Sequence, residues 1–373
     1  MYRLCTPFAC LLLLVLAGCA GGPPRHAAHP PDWESEEFAS APAVPPAPAV
    51  VPKPVTPPPP PAPTNRPAET WIALDRWCKA NGLRPPLRLA VTPLPTYALS
   101  ANNGVFVLRA GSQLAHWNGL ELRLGFAPHM IDGQPFVHAL DLNKTIHPLI
   151  GRGSKRFLTA DAQHRQQPDG SPVIVIDPGH GGENAGTKSV LGKRYEKEFT
   201  LDWARRLQPL LACTGWRVFL TRTNDMDLAL SNRVTFAEEH KATLFLSLHF
   251  NSAAPNEAEA GLETYCLTPT GLPSTVTRGF SDDLGQAFPN NAFDAQNLQL
   301  ALQVHRALLQ VTGNRDRGVR RARFLGVLRG QQRPAILVEG GYLSNPREAR
   351  QIADPEYRQK LAEAVARGLA IEN

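Results

Sequence analysis

Two histidines and two carboxylates occupy positions where a fold most easily assembles chemistry. His180 stands in "VIVIDPGHGG", His249 follows the apolar run "TLFLSL", Glu339 ends "AILVE", and Glu196 opens the helical pattern after the first run. Catalytic zinc commonly takes three protein ligands, with neutral imidazoles and carboxylates among the usual donors, and keeps its fourth position open. His180, Glu196 and His249 supply such a set. Glu198 competes with Glu196 in sequence, but two positions along a helix turn it to another face. The glycines beside His180 give the backbone room to aim the ring and let a substrate approach closely. Those glycines also invite a phosphate reading, which fails: Asn184 stands where a dinucleotide fingerprint needs its third glycine, and Thr187-Lys188 reverses the P-loop order. Any one of these histidines fits an ordinary structural place; the metal reading depends on their convergence.

Convergence is what the surrounding pattern predicts. "VIVID", "RVFLT", "TLFLSL" and "AILVE" are near-continuous apolar strands. Helical runs lie between them: one from Lys197 to about Cys213, with Phe199, Trp203, Leu207 and Leu211 on one face and a disturbance expected at Pro209, and one from about Leu298 to Val311. A closing helix starts with Asn345 as cap, Pro346 at its first position and Glu348 behind it, and carries Leu361, Val365 and Leu369. Apolar strands alternating with helices predict an α/β fold over 172–373: a mostly parallel sheet with helices on both faces. Ligands of such sheets bind beyond the carboxyl ends of the strands. His180, His249 and Glu339 all stand there, with Glu196 close by.

Residues 68–160 read differently. Trp71, Leu74 and Trp77 fall at helical spacing, and Asn103-Gly104, Asn118-Gly119 and Asp132-Gly133 are hairpin signals between short apolar runs. A small, mostly β module is expected ahead of the α/β region, loosely resembling the N-terminal domain of copper-amine-oxidase type. His116, His129, His138 and His147 lack metal spacing and are read as ordinary surface or core histidines.

The chain has 373 residues, 43% of them hydrophobic, enough for one sizeable core and a small second one. Residues 1–18 show Arg3, an apolar run from Phe8 to Leu16 and a small-residue site before Cys19, a signal-peptide pattern too short to span a bilayer. Leu16-Ala17-Gly18-Cys19 resembles a bacterial lipobox, which implies cleavage before Cys19 and acylation of its thiol. Residues 19–67 are rich in proline and alanine, a composition that cannot bury enough surface to fold. Such a tether reaches on the order of 150 Å when extended at roughly 3.1 Å per residue. Cys78, Cys213 and Cys266 remain after the signal, so at most one internal bridge is expected. The formal charge of +6 favours anionic partners: a membrane surface or a carboxylate-rich polymer. Export leaves nucleic acid out.

"DPGHGG", "YEKE", "LTR", "SLHFNS", "RGVRRARFLGVLR" and "ILVEGGYLSN" follow one another in the order and spacing of the zinc-dependent N-acetylmuramoyl-L-alanine amidases of the Amidase_3 type, and over 172–371 the chain resembles that family. The resemblance implies that His180, Glu196 and His249 bind Zn2+ and that Glu339 is the catalytic carboxylate. It implies peptidoglycan as substrate, cut at the amide between the lactyl group of N-acetylmuramic acid and the L-alanine of the stem. Zinc would activate water and polarise the carbonyl, while Glu339 would take the water's proton and hand it to the leaving amine. Arg320 and Arg321, in a basic cluster with Arg317 and Arg323, are expected to hold stem carboxylates or to form a solvated face, and Asn251 joins them as an expected substrate contact. Arg222 is expected to pair with Asp225 or Asp227. The interval from Ser252 to Leu298 departs from the family pattern. It is long, rich in Pro, Asn and Gly, and without a clear amphipathic run, so a substrate-side loop or lid is expected and regulation, including any activator protein, stays open. A periplasmic lipoprotein is expected, anchored by Cys19; Ala20, in place of aspartate, points to the outer membrane. Two other readings stay open: a non-catalytic cell-wall binding or regulatory protein on the same fold, and a zinc peptidase acting within the stem.

Overall fold

The computed structural model of the chain describes residues 70–90, 94–150 and 170–370. The signal-like segment, Cys19 and the Pro-rich tether lie outside the described residues. In chain order the first elements are β1 (Trp71–Ala73), α1 (Leu74–Ala80), β2 (Leu87–Ala90), β3 (Thr96–Ala101), β4 (Gly104–Arg109), β5 (Leu114–Trp117), β6 (Leu120–Arg123), β7 (His129–Ile131) and β8 (Gln134–His138). A helical stretch follows, α2 (Ala139–Asp141), a π turn (Leu142–Ile146) and α3 (His147–Ile150). Then come β9 (Val173–Pro178), α4 (Glu196–Ala212), β10 (Arg217–Leu220), α5 (Leu230–Glu239), β11 (Leu244–Asn251), β12 (Leu262–Cys266), α6 (Asp294–Thr312), β13 (Asp316–Arg321), α7 (Gly326–Arg329), β14 (Ala335–Tyr342), α8 (Pro346–Ala353) and α9 (Pro355–Gly368).

One sheet of eleven strands runs β10-β9-β11-β14-β12-β13-β6-β5-β4-β3-β2. From β10 to β14 every pairing is parallel, as the apolar runs predict. β12 is antiparallel to β14, β13 is parallel to β12 and to β6, and β6 to β2 form an antiparallel meander. β1, β8 and β7 make a separate three-stranded sheet. The N-terminal strands thus continue the sheet of the α/β region: Val319 of β13 registers with Leu122 of β6, and the Asp316 carboxylate accepts the Glu121 amide at 3.1 Å. All three hairpins form, but Gly104 pairs with Ala101, so the first turn is Asn102-Asn103 rather than the expected Asn103-Gly104. Asn118-Gly119 and Asp132-Gly133 both have positive φ at each position, the turn that a right-twisted two-residue hairpin requires.

Both sheet faces are covered. On one, Ile174, Ile176, Leu244, Leu246, Leu248, Ile336 and Val338 meet Phe199, Trp203 and Leu207 of α4 together with α6 and α9. On the other, Val173, Val175, Phe245, Ala335 and Leu337 meet Ala237 of α5 and Val327 and Leu328 of α7. Strands buried on both sides have no reason to alternate, hence the unbroken apolar runs. α4 continues past Pro209, which lies in its last turn. The expected closing helix is two helices: Pro355 cannot continue α8, and the Asp354 carboxylate caps α9 by accepting the Glu356 amide. The interval after Ser252 contains β12, a fully buried strand, in addition to irregular chain. Cys78, Cys213 and Cys266 are all free thiols.

Candidate metal centre and active site

The period of two residues that fills the cores also delivers the chemistry. Following Val173 and Val175, β9 turns Asp177 to the α5/α7 side; following Phe245, β11 turns Ser247 and His249 there; following Ala335 and Leu337, β14 turns Glu339 there. His249 and Glu339 are register partners, and Glu263 of the antiparallel β12 faces Glu339 from the other side.

His180 lies just past the end of β9 in a left-handed conformation, φ 62°, which is uncommon for a residue with a side chain and which its surroundings hold in place. Two buried arginines do so. Arg222 donates to the carbonyls of Pro178 (2.9 Å), Gly179 (2.9 Å) and Lys197 (2.8 Å). Arg233 donates to Asp177 Oδ1 (2.7 Å) and to the carbonyls of Pro178 (3.1 Å) and His180 (3.0 Å). Arg222 therefore does not pair with Asp225 or Asp227; those carboxylates receive Lys197 and the amides of Gly182, Glu183 and Asn184 instead. Gly179 is required for space, since a Cβ there would stand 2.2 Å from His249 Cε1.

His180, Glu196 and His249 each bring one ligand atom to within 4.8 Å of the others. Their hydrogen-bond partners settle which atoms carry hydrogen. Asn184 Oδ1 only accepts, so His180 Nδ1, 2.7 Å away, carries the proton and Nε2 presents a lone pair. Ser247 donates its hydrogen to Asp177 Oδ2 at 2.8 Å, so its oxygen accepts from His249 Nε2 at 3.2 Å, and His249 Nδ1 presents its lone pair to Glu196 Oε1 at 3.0 Å. Burial keeps that imidazole neutral by lowering its pKa. His180 Nε2 is 3.1 Å from Glu196 Oε2, yet makes no well-aligned hydrogen bond among the described residues. With His180 neutral, three lone pairs thus gather within 4.8 Å of one another, an arrangement suited to a cation among them. Without a metal, a proton on His180 answers the Glu196 carboxylate. Burial disfavours charge on both partners, but their mutual attraction outweighs it, holding Glu196 well below the carboxylate range and His180 above the histidine value. Glu196 is further fixed by the amides of Thr187 and Phe250, both at 3.0 Å, whereas Glu198 accepts the Tyr195 amide and pairs with Arg194.

Glu339 is 8% exposed, and its Oε2 has no hydrogen-bond partner among the described residues. Burial first, and then the Glu196 charge, push its carboxyl well above the ordinary range. It lines an open cleft of about 670 Å³ together with His180, His249, Tyr265, Arg278 and Phe324. One wall is apolar, contributed by Leu228, Leu230, Leu325 and Val327. A metal-ligand set, a buried carboxyl and an apolar wall are the parts of a site that hydrolyses an otherwise unreactive bond.

Of the expected substrate contacts, Arg320 and Arg321 are engaged away from the cleft lining and Asn251 lies beside it. Arg321 is buried and donates to Thr145 Oγ1 (2.8 Å) and the Lys144 carbonyl (2.9 Å), which ties the helical stretch after β8 to β13. Arg320 stands near Glu121 (3.5 Å) and Glu263 (3.9 Å). Arg317 pairs with Glu259 and Glu263, and Arg323 with Asp282. The run "RGVRRARF" is therefore neither a solvated face nor an open basic patch. Asn251 lies close to the cleft, donating to Glu263 Oε2 (2.8 Å) and accepting from Arg278 Nη2 (3.0 Å). Arg233, Arg278 and Glu263 belong to the site's surroundings although no motif marked them; the one signal was the isolated glutamate inside the otherwise apolar "GLETYCL".

Among curated proteins, the chain is similar to the N-acetylmuramoyl-L-alanine amidase AmiC of Escherichia coli O6:H1, 32% identical over 274 residues, 66% of this chain and 65% of that protein. It is similar to the amidase LytC of Bacillus subtilis, 33% identical over 213 residues, 56% of this chain and 37% of LytC. It thus spans less than two thirds of either relative. Among solved structures, the catalytic domain of CwlV, an N-acetylmuramoyl-L-alanine amidase from Bacillus (Paenibacillus) polymyxa var. colistinus, is 32% identical, with 53% of this chain and 96% of that one covered at a TM-score of 0.44. Residues 174–371 match the Amidase_3 family, described as N-acetylmuramoyl-L-alanine amidase, and they hold every strand, loop and side chain of the metal-ligand cluster and Glu339. With more than half of its length matched and the cluster inside the match, this chain belongs to the Amidase_3 family of N-acetylmuramoyl-L-alanine amidases.

Proposed function

We propose that the protein is a zinc-dependent peptidoglycan hydrolase that cleaves the amide between the lactyl group of N-acetylmuramic acid and the L-alanine of the stem. The observation that carries this reading is the convergence of three lone pairs, from His180, Glu196 and His249, beside the buried carboxyl of Glu339. His180 Nε2, His249 Nδ1 and a Glu196 oxygen would hold the zinc, a donor set that suits it. Zinc bound there supplies Lewis-acid polarisation of the amide carbonyl and makes water a stronger acid.

The chain's own residues supply the remainder. Glu339, whose basicity is raised by burial, takes the proton of the attacking water and returns it to the departing alanine nitrogen. Ser247 and Asn184 hold the two imidazoles in the tautomers that direct their lone pairs inward, and Asp177 holds Ser247. Arg222 and Arg233 keep the backbone of 178–180 in place. The apolar wall limits water in the cleft, which strengthens the electrostatics around the carbonyl.

Location is part of the same proposal. The Leu16–Cys19 pattern supports an acylated, membrane-anchored protein of the cell envelope, and Cys19→Ser should then release it from membranes. No helix among the described residues is long and apolar enough to cross a membrane. The decisive test of the reaction is mass analysis of digested peptidoglycan. Intact stems with a free L-alanine N-terminus are expected, and fragments cut within the stem would overturn the reading.

A further inference from the structure

Recognition of anionic groups on the substrate needs a cation at the cleft, and the cluster from Arg317 to Arg323 does not supply it. Among the described residues, two arginines line the cleft, Arg233 and Arg278. Arg233 is buried, with its guanidinium on Asp177 and on backbone carbonyls. Arg278 is different. It enters from the irregular chain after β12, with φ 46°, and reaches the same cleft that holds Glu339.

The surroundings of Arg278 orient it. Arg317 Nε holds Glu263 Oε1 at 2.9 Å. Glu263 Oε2 in turn receives the Tyr265 hydroxyl and Asn251 Nδ2, both at 2.8 Å. Those donations fix the tyrosine and the asparagine beside Arg278: Asn251 Oδ1 accepts from Nη2 at 3.0 Å, and the Tyr265 hydroxyl stands close enough to favour the guanidinium's charge. The guanidinium lies 5.7 Å from the centre of the Phe324 ring, another cleft residue. An arginine steadied on an aromatic ring and two neutral oxygens keeps its charge and its planar fork, the geometry that recognises a carboxylate.

We infer that Arg278 forms a carboxylate subsite of the cleft, binding a free carboxylate of the stem peptide close to the scissile amide. The inference rests on the proposed amidase reaction and adds to it a substrate preference. Asn251, Tyr265 and Phe324 are positioning residues for the guanidinium, and Glu263 acts through the first two. Glu339 and Glu263 lie near the guanidinium, and Arg278 offsets their charge toward an anionic stem.

The test compares two soluble muramoyl peptides that share the same amide, one with a free carboxylate on the residue after L-alanine and one with that group as a carboxamide. The wild-type enzyme should favour the acid in kcat/KM, mainly through KM. Arg278→Gln should reduce that preference by on the order of tenfold to a hundredfold, the range of a charge-assisted hydrogen bond, whatever the variant does to the turnover common to both compounds. Arg278→Lys should recover part of the preference. Because the readout is a ratio within one variant, a general loss of folding or of Glu339 function cancels from it. Failure of the wild type to cut either compound would refute the amidase reading itself. Cleavage of both with no preference, or a preference unchanged in Arg278→Gln, would overturn the subsite and leave the amidase reading standing.

Discussion

Gly179→Ala isolates the geometry of the metal centre from everything else. The backbone at Gly179 is not left-handed, so alanine is conformationally acceptable there; what it lacks is room. Its Cβ would lie 2.2 Å from His249 Cε1, 2.4 Å from Nε2 and 2.6 Å from Nδ1. Non-bonded carbons keep roughly 3.5 Å apart, so the imidazole or the strand end has to retreat by about 1 Å. The ring cannot move freely, because Nε2 is held by Ser247 and Nδ1 faces Glu196. Displacement of that size in a catalytic constellation costs about a hundredfold in rate, and zinc affinity should fall on the order of tenfold to a hundredfold. Competition with a chromophoric chelator measures the affinity, and release of L-alanine N-termini from peptidoglycan measures the rate. Gly192→Ala is the opposite control: its φ is +84°, but nothing lies within 4 Å of the new methyl. It should lose roughly 1–2 kcal/mol of stability from strain alone and bind zinc as the wild type does. A Gly179→Ala protein with wild-type zinc affinity would refute the steric argument and the position given to His249.

Glu339→Gln should retain zinc while turnover falls by on the order of a hundredfold to ten-thousandfold, the range of a lost general base; unchanged turnover would remove Glu339 from its role. Arg233→Gln strands the buried Asp177 carboxylate and should cost about 3–5 kcal/mol in denaturant unfolding at neutral pH. Burial raises the Asp177 pKa, but Arg233, Thr221 and Ser247 outweigh it and hold the carboxyl below its ordinary value. The stability from that pair is therefore fully present above the unfolded carboxyl pKa of about 3.9 and lost as pH falls below it, so the gap between wild type and Arg233→Gln should narrow in acid. A gap independent of pH would assign the loss to something other than the ion pair. Brief alkylation of the folded protein followed by peptide mapping should label Cys213 and spare Cys78 and Cys266, whose buried thiols are pushed up to about 11.

The residues of the candidate metal cluster were legible in the sequence, and the residues that hold them were not. His180, His249 and Glu339 each follow an apolar run that has only one good explanation, a strand buried on both faces, and such strands converge at their carboxyl ends. Glu196 was legible because a helix start must lie near the strand that precedes it. Arg222 and Arg233 act on backbone carbonyls, which every residue has, so nothing in sequence distinguishes them from surface arginines until the loop exists. The basic run misled for a related reason: β13 is a strand between two others, and it turns Arg321 inward where Thr145 and Lys144 wait, 176 and 177 residues earlier in the chain. β12 was hidden because a glutamate interrupts its apolar pattern, and only the fold supplies the Arg317 and Asn251 that make a buried Glu263 tolerable. Arg278 carried no pattern at all; its importance comes from the cleft it lines.

The parallel pairing of β13 with β6 has a practical side. Anyone wishing to isolate the chemistry would shorten the chain to begin near residue 170, where the family match starts. That cut removes the strand covering β13 and leaves a row of unpaired amides and carbonyls along it, a template for association with another chain. It also strips Thr145 and the Lys144 carbonyl from Arg321, so a buried guanidinium loses its acceptors beside the new edge. Solubility of the shortened protein would then be governed by a seam on β13, which carries none of the candidate metal ligands. Its aggregation could be mistaken for a defect of the catalytic region.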